Sequence, residues 1–372
     1  CLSSIDKCLR FREIELVKKE LQFFIDKKVP QVKFVDRTFN CRHDHAMAIW
    51  TYIHEHDNGI TNFHFEVSAD LLNEKEIALI NRMRPGLIQL EIGVQSANEI
   101  TIREINRTMK IDVLSTIVDK IKKGNNVHQH LDLIAGLPYE GYESFGKSFD
   151  RVYKMNPEQL QLGFLKVLKG SVMHDRAQEY GIVYQDRAPY EVLSTKWLTY
   201  AEVIRLKQIE EMVEVYYNSG QFCCTMAALE QEFASPFCMY ECLAAYYDEK
   251  NAFAVSHSRI GRYEILYDFI VKTCKERSEQ YMEMLTLDMY LRDNVKKRPE
   301  FLRESGVSSD EAAAFYKKEE KERTYLKAYE GYDRRQMRKM THLERIDGKT
   351  VLFDYKNRDP LTGNAAIYYL SE

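Results

Sequence analysis

Glu91-Ile92-Gly93-Val94-Gln95-Ser96 and Asp132-Leu133-Ile134-Ala135-Gly136-Leu137-Pro138 decide how this chain reads. Each closes a β-rich run, residues 87–94 and 127–135, in a polar or turn-forming end, and helical periodicity follows. Working outward, the same unit recurs. Strands are expected over 31–36, 63–67 and 159–168, with Val32, Phe34 and Asp36 on one face of the first and Lys33 and Val35 on the other. Helices are expected over 13–28, 43–56, 73–83, 98–104, 111–123 and 142–155; the first carries Ile14, Val17, Leu21, Phe24 and Ile25 at helical spacing, and Asn73 or Asp70 stands near the start of the third. Strand–helix alternation of this kind implies a parallel sheet with right-handed crossovers, an α/β fold. Five strands do not close a barrel. A sixth just before Cys1 would give a partial (β/α)6 barrel; the doubly wound open sheet is the competing fold.

After residue 175 the strand signal fades. Helices are expected over 190–217, 236–248, 262–273, 278–295 and 310–329, the last capped by Ser308 or Ser309. Residues 349–355 and 365–370 alternate around a turn-rich loop and read as a closing β-hairpin. Two domains follow, an α/β domain over 1–174 and a helical one over 175–372, as a length of 372 residues also suggests. A net charge of −4 gives no electrostatic case for nucleic acid or an anionic membrane. No run of 18 apolar residues is present to span a bilayer. Eight scattered cysteines favour reduced thiols and a cytoplasmic setting.

In parallel α/β folds the C-terminal ends of strands carry the chemistry. Four such ends are polar in series here: Asp36-Arg37-Thr38-Phe39-Asn40, Glu66-Val67-Ser68-Ala69-Asp70, Gly93-Val94-Gln95-Ser96 and Asp132 to Pro138. Helix capping by Asn40, Ser68 and Ser96 is the plainer account of any one of them. Together they point to a shared site.

The Gly93-Val94-Gln95-Ser96 strand end, the Asn106-Arg107 element after it and the Gly136-Leu137-Pro138 strand end resemble, in order and spacing, radical S-adenosylmethionine (radical SAM) enzymes. The likeness is to the coproporphyrinogen dehydrogenase-like type and to members that carry a cobalamin-binding domain. It covers about residues 1–170; from near Val172 the chain is similar to the uncharacterised C-terminal domain of a B12-associated subfamily. The hallmark of the superfamily is C-x3-C-x2-C, and the resemblance makes Cys1 its third cysteine, with the other two upstream. It implies a [4Fe–4S] cluster held by three thiolates, with one iron open to S-adenosylmethionine (SAM). Cys1 is then the metal ligand, and the fragment alone is expected to be inactive. The resemblance further implies that Glu66 bonds the ribose or amino-acid part of SAM, that Gln95 and Ser96 line the same cleft, and that Arg107 pairs with the SAM carboxylate. Asp132 would accept from ribose hydroxyls, and Gly136 and Pro138 would shape the loop beside adenine. Asp36 stands where many members have a Gly-Gly-rich segment that contacts the SAM amino group. The implied reaction is radical chemistry or, with cobalamin from an upstream domain, methyl transfer to a small-molecule or peptide substrate. The electron donor would be a flavodoxin or ferredoxin. No residue is assigned to catalysis itself.

Rival readings rest on other residues. His128, His130 and Asp132 share a strand face and suit a metal-dependent barrel hydrolase. His43/His45 and His54/His56 lie on expected helices, where a spacing of two diverges by about 200°. Cys223-Cys224 and Cys238-x3-Cys242 form a second cysteine group, read chiefly as helix packing. A non-catalytic scaffold with the same shell is the third class.

Overall fold

The computed structural model describes residues 8–295 and 297–370; Cys1, and with it the expected cluster ligand, lies outside the described residues. The chain divides into two compact units, one of residues up to Glu214 with Ser235–Glu241, the other of Val215–Ala234 with Cys242–Glu372.

The first unit runs α1 (Ile14–Asp26), β1 (Gln31–Lys33), α2 (His43–Glu55), β2 (Asn62–Val67), α3 (Glu74–Ile80), β3 (Ile88–Gln95), α4 (Glu99–Glu104), α5 (Ile111–Lys122), β4 (His128–Ala135), α6 (Tyr142–Tyr153) and β5 (Gln159–Phe164). The five strands are parallel and adjacent in chain order. They form a curled half-barrel, the α/β partial barrel expected rather than a doubly wound sheet. The strand pattern shows why the sheet has two unlike faces. In β3, Ile88, Leu90, Ile92 and Val94 are buried, whereas Gln89, Glu91, Gly93 and Gln95 are only half-buried. Residues two apart share a face, so the apolar set packs under the helices and the polar set lines the concave side. The helices answer at their own period: Ala46, Ile49, Trp50 and Ile53 are buried on α2, and Leu114, Ile117, Val118 and Ile121 on α5. Under α2, Trp50, Phe39 and Phe65 meet with ring centroids 4.4–5.9 Å apart, Phe34 stacking on Phe65 at 4.5 Å. Burial of each such ring contributes on the order of 2–3 kcal/mol. Asn73 caps α3 in a reciprocal box with Glu76, as its place before the helix suggests.

β1 is shorter than expected, and among the described residues it pairs with β2 alone. The expected helix over 190–217 is also corrected. A short helix α7 (Val172–Asp175) leads to a two-stranded hairpin, β6 (Val183–Tyr184) and β7 (Val192–Ser194), before α8 (Tyr200–Val213) begins at a Thr199/Glu202 capping box. Val192 is fully buried with Leu137, Leu165, Val167, Tyr180 and Ile182. That cluster draws residues 191–194 into extended structure against their helical periodicity.

The second unit contains α9 (Cys223–Leu229), the latter part of α10 (Pro236–Glu249), α11 (Arg259–Thr273), α12 (Ser278–Arg292), α13 (Ser309–Glu322) and α14 (Arg334–Met340). β8 (Thr341–Ile346), β9 (Lys349–Arg358) and β10 (Ala365–Tyr369) follow. The expected closing hairpin is β9–β10, and β8 extends it to an antiparallel sheet in the order β10-β9-β8. α13 stops short of its expected end because Arg323 turns left-handed and buried Glu319 accepts the amides of Tyr325 and Leu326. α14 escapes sequence periodicity because Met337 is its one buried side chain. Among the described residues, no helix is long and apolar enough to cross a membrane.

Candidate functional site

The concave face of the half-barrel is unusually rich in ionisable groups. Lys33 Nζ lies 3.1 Å and His64 Nε2 3.0 Å from Glu91 Oε2, and His130 Nε2 lies 3.4 Å from Asp132 Oδ1. These residues come from four adjacent strands, each from the face opposite the apolar one. Arg107, on the turn after α4, reaches in from the C-terminal rim, and its Nη1 donates to Gly93 O at 2.8 Å.

The Gly-Val-Gln end of β3 is built for that approach. A Cβ on Gly93 would come within 2.6 Å of Gln95 Nε2 and 3.5 Å of Arg107 Nη1, so glycine leaves room for both side chains. The β3–β4 register slips between Gly93 and Gln95, and Gln95 sits in the left-handed region at φ 72°. A bulge of this kind re-aims the strand's last side chain.

Electrostatics separates the carboxylates. The hydrogen bond from His64, helped by the Lys33 ammonium, holds Glu91 down at about 2 against the effect of burial. Burial first, then the negative charges of Glu91 and Glu66, push Asp132 up to about 7. Burial and Glu91 also raise Glu66. Burial lowers both His128 and His130, which favours neutral imidazoles, and lowers Arg107, with Asp70, Asp132 and Glu66 opposing. Ionised Glu91 beside neutralisable Asp132 means that Asp132 can either donate or accept near neutral pH.

Glu66, Gln95, Arg107 and Asp132 therefore converge on one face. Other expected site residues are placed elsewhere. Ser96 is buried, and its hydroxyl donates to Glu140 Oε1 at 2.8 Å while Ser148 donates to the same oxygen at 2.7 Å. Gly136, at φ 88°, is pressed against Val192: an added Cβ would lie 2.7 Å from Val192 Cγ1. Pro138 O accepts from Thr101 Oγ1 at 2.9 Å. Asp36 is exposed and borders a groove of about 770 Å³ between α1 and β1, near Phe11 and His45. The capping account fails for Asn40, which instead exchanges two hydrogen bonds with the Ser68 backbone at 2.8 and 2.9 Å. His43 bonds Glu76 whereas His45 packs on Phe11, so that pair diverges as its helix requires.

The metal-capable set also differs from the expected one. Among the described residues, ligand atoms of Glu91, His130 and Asp132 lie within 4.8 Å of one another, and Glu91 takes the place expected for His128. Glu91, His64 and Lys33 were not marked as site residues by sequence reasoning. The signal was parity: Glu91 interrupts an apolar strand in phase with Gly93 and Gln95, and His64 is in phase with Glu66. Cys223 and Cys224 sit at the start of α9, where Asp288 accepts the Cys224 and Thr225 amides at 2.9 and 2.8 Å. Cys238 and Cys242 are half-buried on α10.

Comparison with known proteins fits this geometry. Residues 3–152 match the radical SAM superfamily, and residues 178–360 match a protein family of unknown function, DUF4080. An oxygen-independent coproporphyrinogen III oxidase of Salmonella typhimurium is 29% identical over 107 residues, 27% of this chain and 23% of that one. The Bacillus subtilis oxygen-independent coproporphyrinogen-III oxidase-like protein HemZ is 28% identical over 119 residues, 30% of this chain and 22% of its own. The chain thus spans about a quarter of the length of these relatives. Among solved structures, the radical SAM methyltransferase TsrM of Kitasatospora setae, with cobalamin and a [4Fe–4S] cluster bound, is similar over 48% of this chain and 33% of that one. Its TM-score is 0.41 at 14% identity. Coproporphyrinogen III oxidase (HemN) of Escherichia coli is similar over 54% of both chains, with a TM-score of 0.34 at 15% identity. The likeness to the radical SAM superfamily thus rests on residues 3–152, about two fifths of the chain.

Proposed function

We propose that the whole protein is a radical SAM enzyme that reductively cleaves SAM at a [4Fe–4S] cluster, and that the concave face described above receives the SAM. The supporting observation is the convergence of Glu66, Gln95 and Asp132 from three parallel strands with Arg107 from the rim, in a chain whose residues 3–152 match the superfamily. The residues suit the molecule. Asp132 Oδ1 and His130 Nε2 are buried without a hydrogen-bond partner among the described residues, which leaves an acceptor for a ribose hydroxyl. Arg107 spends Nη1 on Gly93 O and keeps further N–H groups for a carboxylate. Glu66 accepts from the amino-acid or ribose part, and Gln95, re-aimed by its bulge, closes the rim. Gly136 and Pro138 hold the adenine-side loop in place through their packing. The cluster needs three thiolates, and among the described residues no group of cysteines supplies them.

Bound at such a cluster, SAM would supply its deoxyadenosyl group for radical chemistry or, with cobalamin held by a further domain, a methyl group for transfer. What these residues contribute is orientation and charge balance: Arg107 offsets the carboxylates at the rim, and His64 with Lys33 holds Glu91 ionised beneath them. The substrate is a small molecule or peptide, and the electron donor a flavodoxin or ferredoxin. The cysteine composition supports a reducing, cytoplasmic setting.

The test uses the full-length protein, reconstituted anaerobically with iron and sulfide and reduced with dithionite. 5′-Deoxyadenosine or S-adenosylhomocysteine should form from SAM, and Arg107→Ala should weaken SAM binding at least tenfold. A cluster-loaded protein that leaves SAM intact would overturn the activity. Unchanged SAM affinity in Arg107→Ala would overturn the cleft.

A further inference from the structure

We propose that Glu91, His130 and Asp132 form a binding site for a first-row divalent cation inside the half-barrel. This goes beyond the SAM reading and does not rest on it, although Asp132 and His130 are common to both. Three independent observations carry it.

The donors are close enough. Their ligand atoms all lie within 4.8 Å of one another, and His130 Nε2 stands 3.4 Å from Asp132 Oδ1. Tetrahedral bonds of about 2.1 Å require donor–donor edges of about 3.4 Å. The His130–Asp132 edge already has that length, and the edges to Glu91 need to shorten by at most about 1.4 Å to close on an ion.

Two of the three donors are also unspent. Asp132 Oδ1 and His130 Nε2 are buried and lack a hydrogen-bond partner among the described residues. His130 is 6% exposed. The 3.4 Å contact between the two atoms misses hydrogen-bond geometry, so neither satisfies the other. A buried imidazole nitrogen and a buried carboxylate oxygen aimed at one point, each unpaired, cost stability unless a third species joins them.

The charge balance leaves room for a dication. Glu66, Asp70, Glu91 and Asp132 face Lys33, Arg37 and Arg107, so carboxylates outnumber cations, and Arg107 is engaged at the rim with Gly93 O. Lys33 is the competitor: its ammonium lies on Glu91 Oε2 at 3.1 Å, on a half-exposed side chain able to swing aside. His64, 3.0 Å from the same oxygen, can orient Glu91 from behind as an outer partner. One imidazole and two carboxylates suit Zn2+, Fe2+, Co2+ or Mn2+ rather than Ca2+, and leave at least one coordination position open towards the cleft for water or a substrate oxygen.

Co2+ is the probe, because its visible bands report nitrogen and oxygen ligation while thiolate ligation adds an intense near-ultraviolet band. The present chain, stripped with EDTA and carrying neither cluster nor SAM, should bind one Co2+ with d–d bands and no thiolate band from that site. Glu91→Gln and His130→Gln should each weaken binding at least tenfold. Lys33→Met should tighten it about tenfold, a gain that misfolding does not mimic. Absence of Co2+ binding, purely thiolate ligation, or affinity indifferent to Glu91, His130 and Lys33 overturns the site. Because these readouts need no SAM, they succeed or fail separately from the cleavage assay.

Discussion

Replacing Asp132 by Asn should stabilise the first unit at alkaline pH while weakening ligand binding. The carboxyl is pushed from its ordinary 3.8 up to about 7, first by burial and then by Glu91 and Glu66. The sign follows from linkage. Below about pH 4 the group is protonated in folded and unfolded chains alike, and it has no effect. Between about 4 and 7 the unfolded chain ionises first, so the folded state loses stability as pH rises; above about 7 the loss is complete. A rise of that size corresponds to a ceiling of about 4 kcal/mol, at ~1.4 kcal/mol for each tenfold. Relaxation and the coupling to Glu91 reduce it, and we expect about 2 kcal/mol. Both tryptophans, Trp50 and Trp197, belong to the first unit, so their fluorescence reports its unfolding selectively. Urea unfolding of wild type and Asp132→Asn, in EDTA, at about pH 4.5 and about pH 8.5, gives the comparison. The variant should gain about 2 kcal/mol at the higher pH and little at the lower. Equal loss of stability at both would refute the reasoning, because it would mean that the ionised carboxylate is a net stabilising partner.

Three further outcomes follow from other contacts. Ser96→Ala should cost about 1–2 kcal/mol in unfolding experiments, by removing a buried donor to Glu140, and leave SAM affinity unchanged; a selective loss of affinity would restore Ser96 to the cleft. Gly136→Ala should cost about 2 kcal/mol or more, since the new Cβ meets Val192 Cγ1 at 2.7 Å in a left-handed residue, and Val192→Ala should return part of it in a double-mutant cycle. Asp288→Ala should destabilise the second unit by about 2 kcal/mol, because buried Asp288 holds the Cys224 and Thr225 amides; faster thiol labelling at Cys224 would report the opening of α9, and an unchanged rate would argue against that role.

Much of this protein is legible in its order of residues. Alternation in 87–94 and 127–135, with helical periodicity between, determines strand, crossover and parallel pairing, because a period of two and a period of 3.6 bury different faces. The same parity places Glu66, Gln95 and Asp132 on the face opposite the apolar one. Three things were decided only in three dimensions. Val192 became a strand because a buried cluster and the bare backbone at Gly136 offered it a better place than its own helical turn. β8 joined the closing hairpin because pairing along β9 satisfied a row of backbone groups that sequence alternation alone did not reveal. And Glu91, read from the sequence only as part of a motif, became the centre of the site because strand register sets it between Glu66 and His130. Local pattern states which face a side chain occupies; only register across strands determines which neighbours share its charge, and charge sharing separates Glu91 from Asp132.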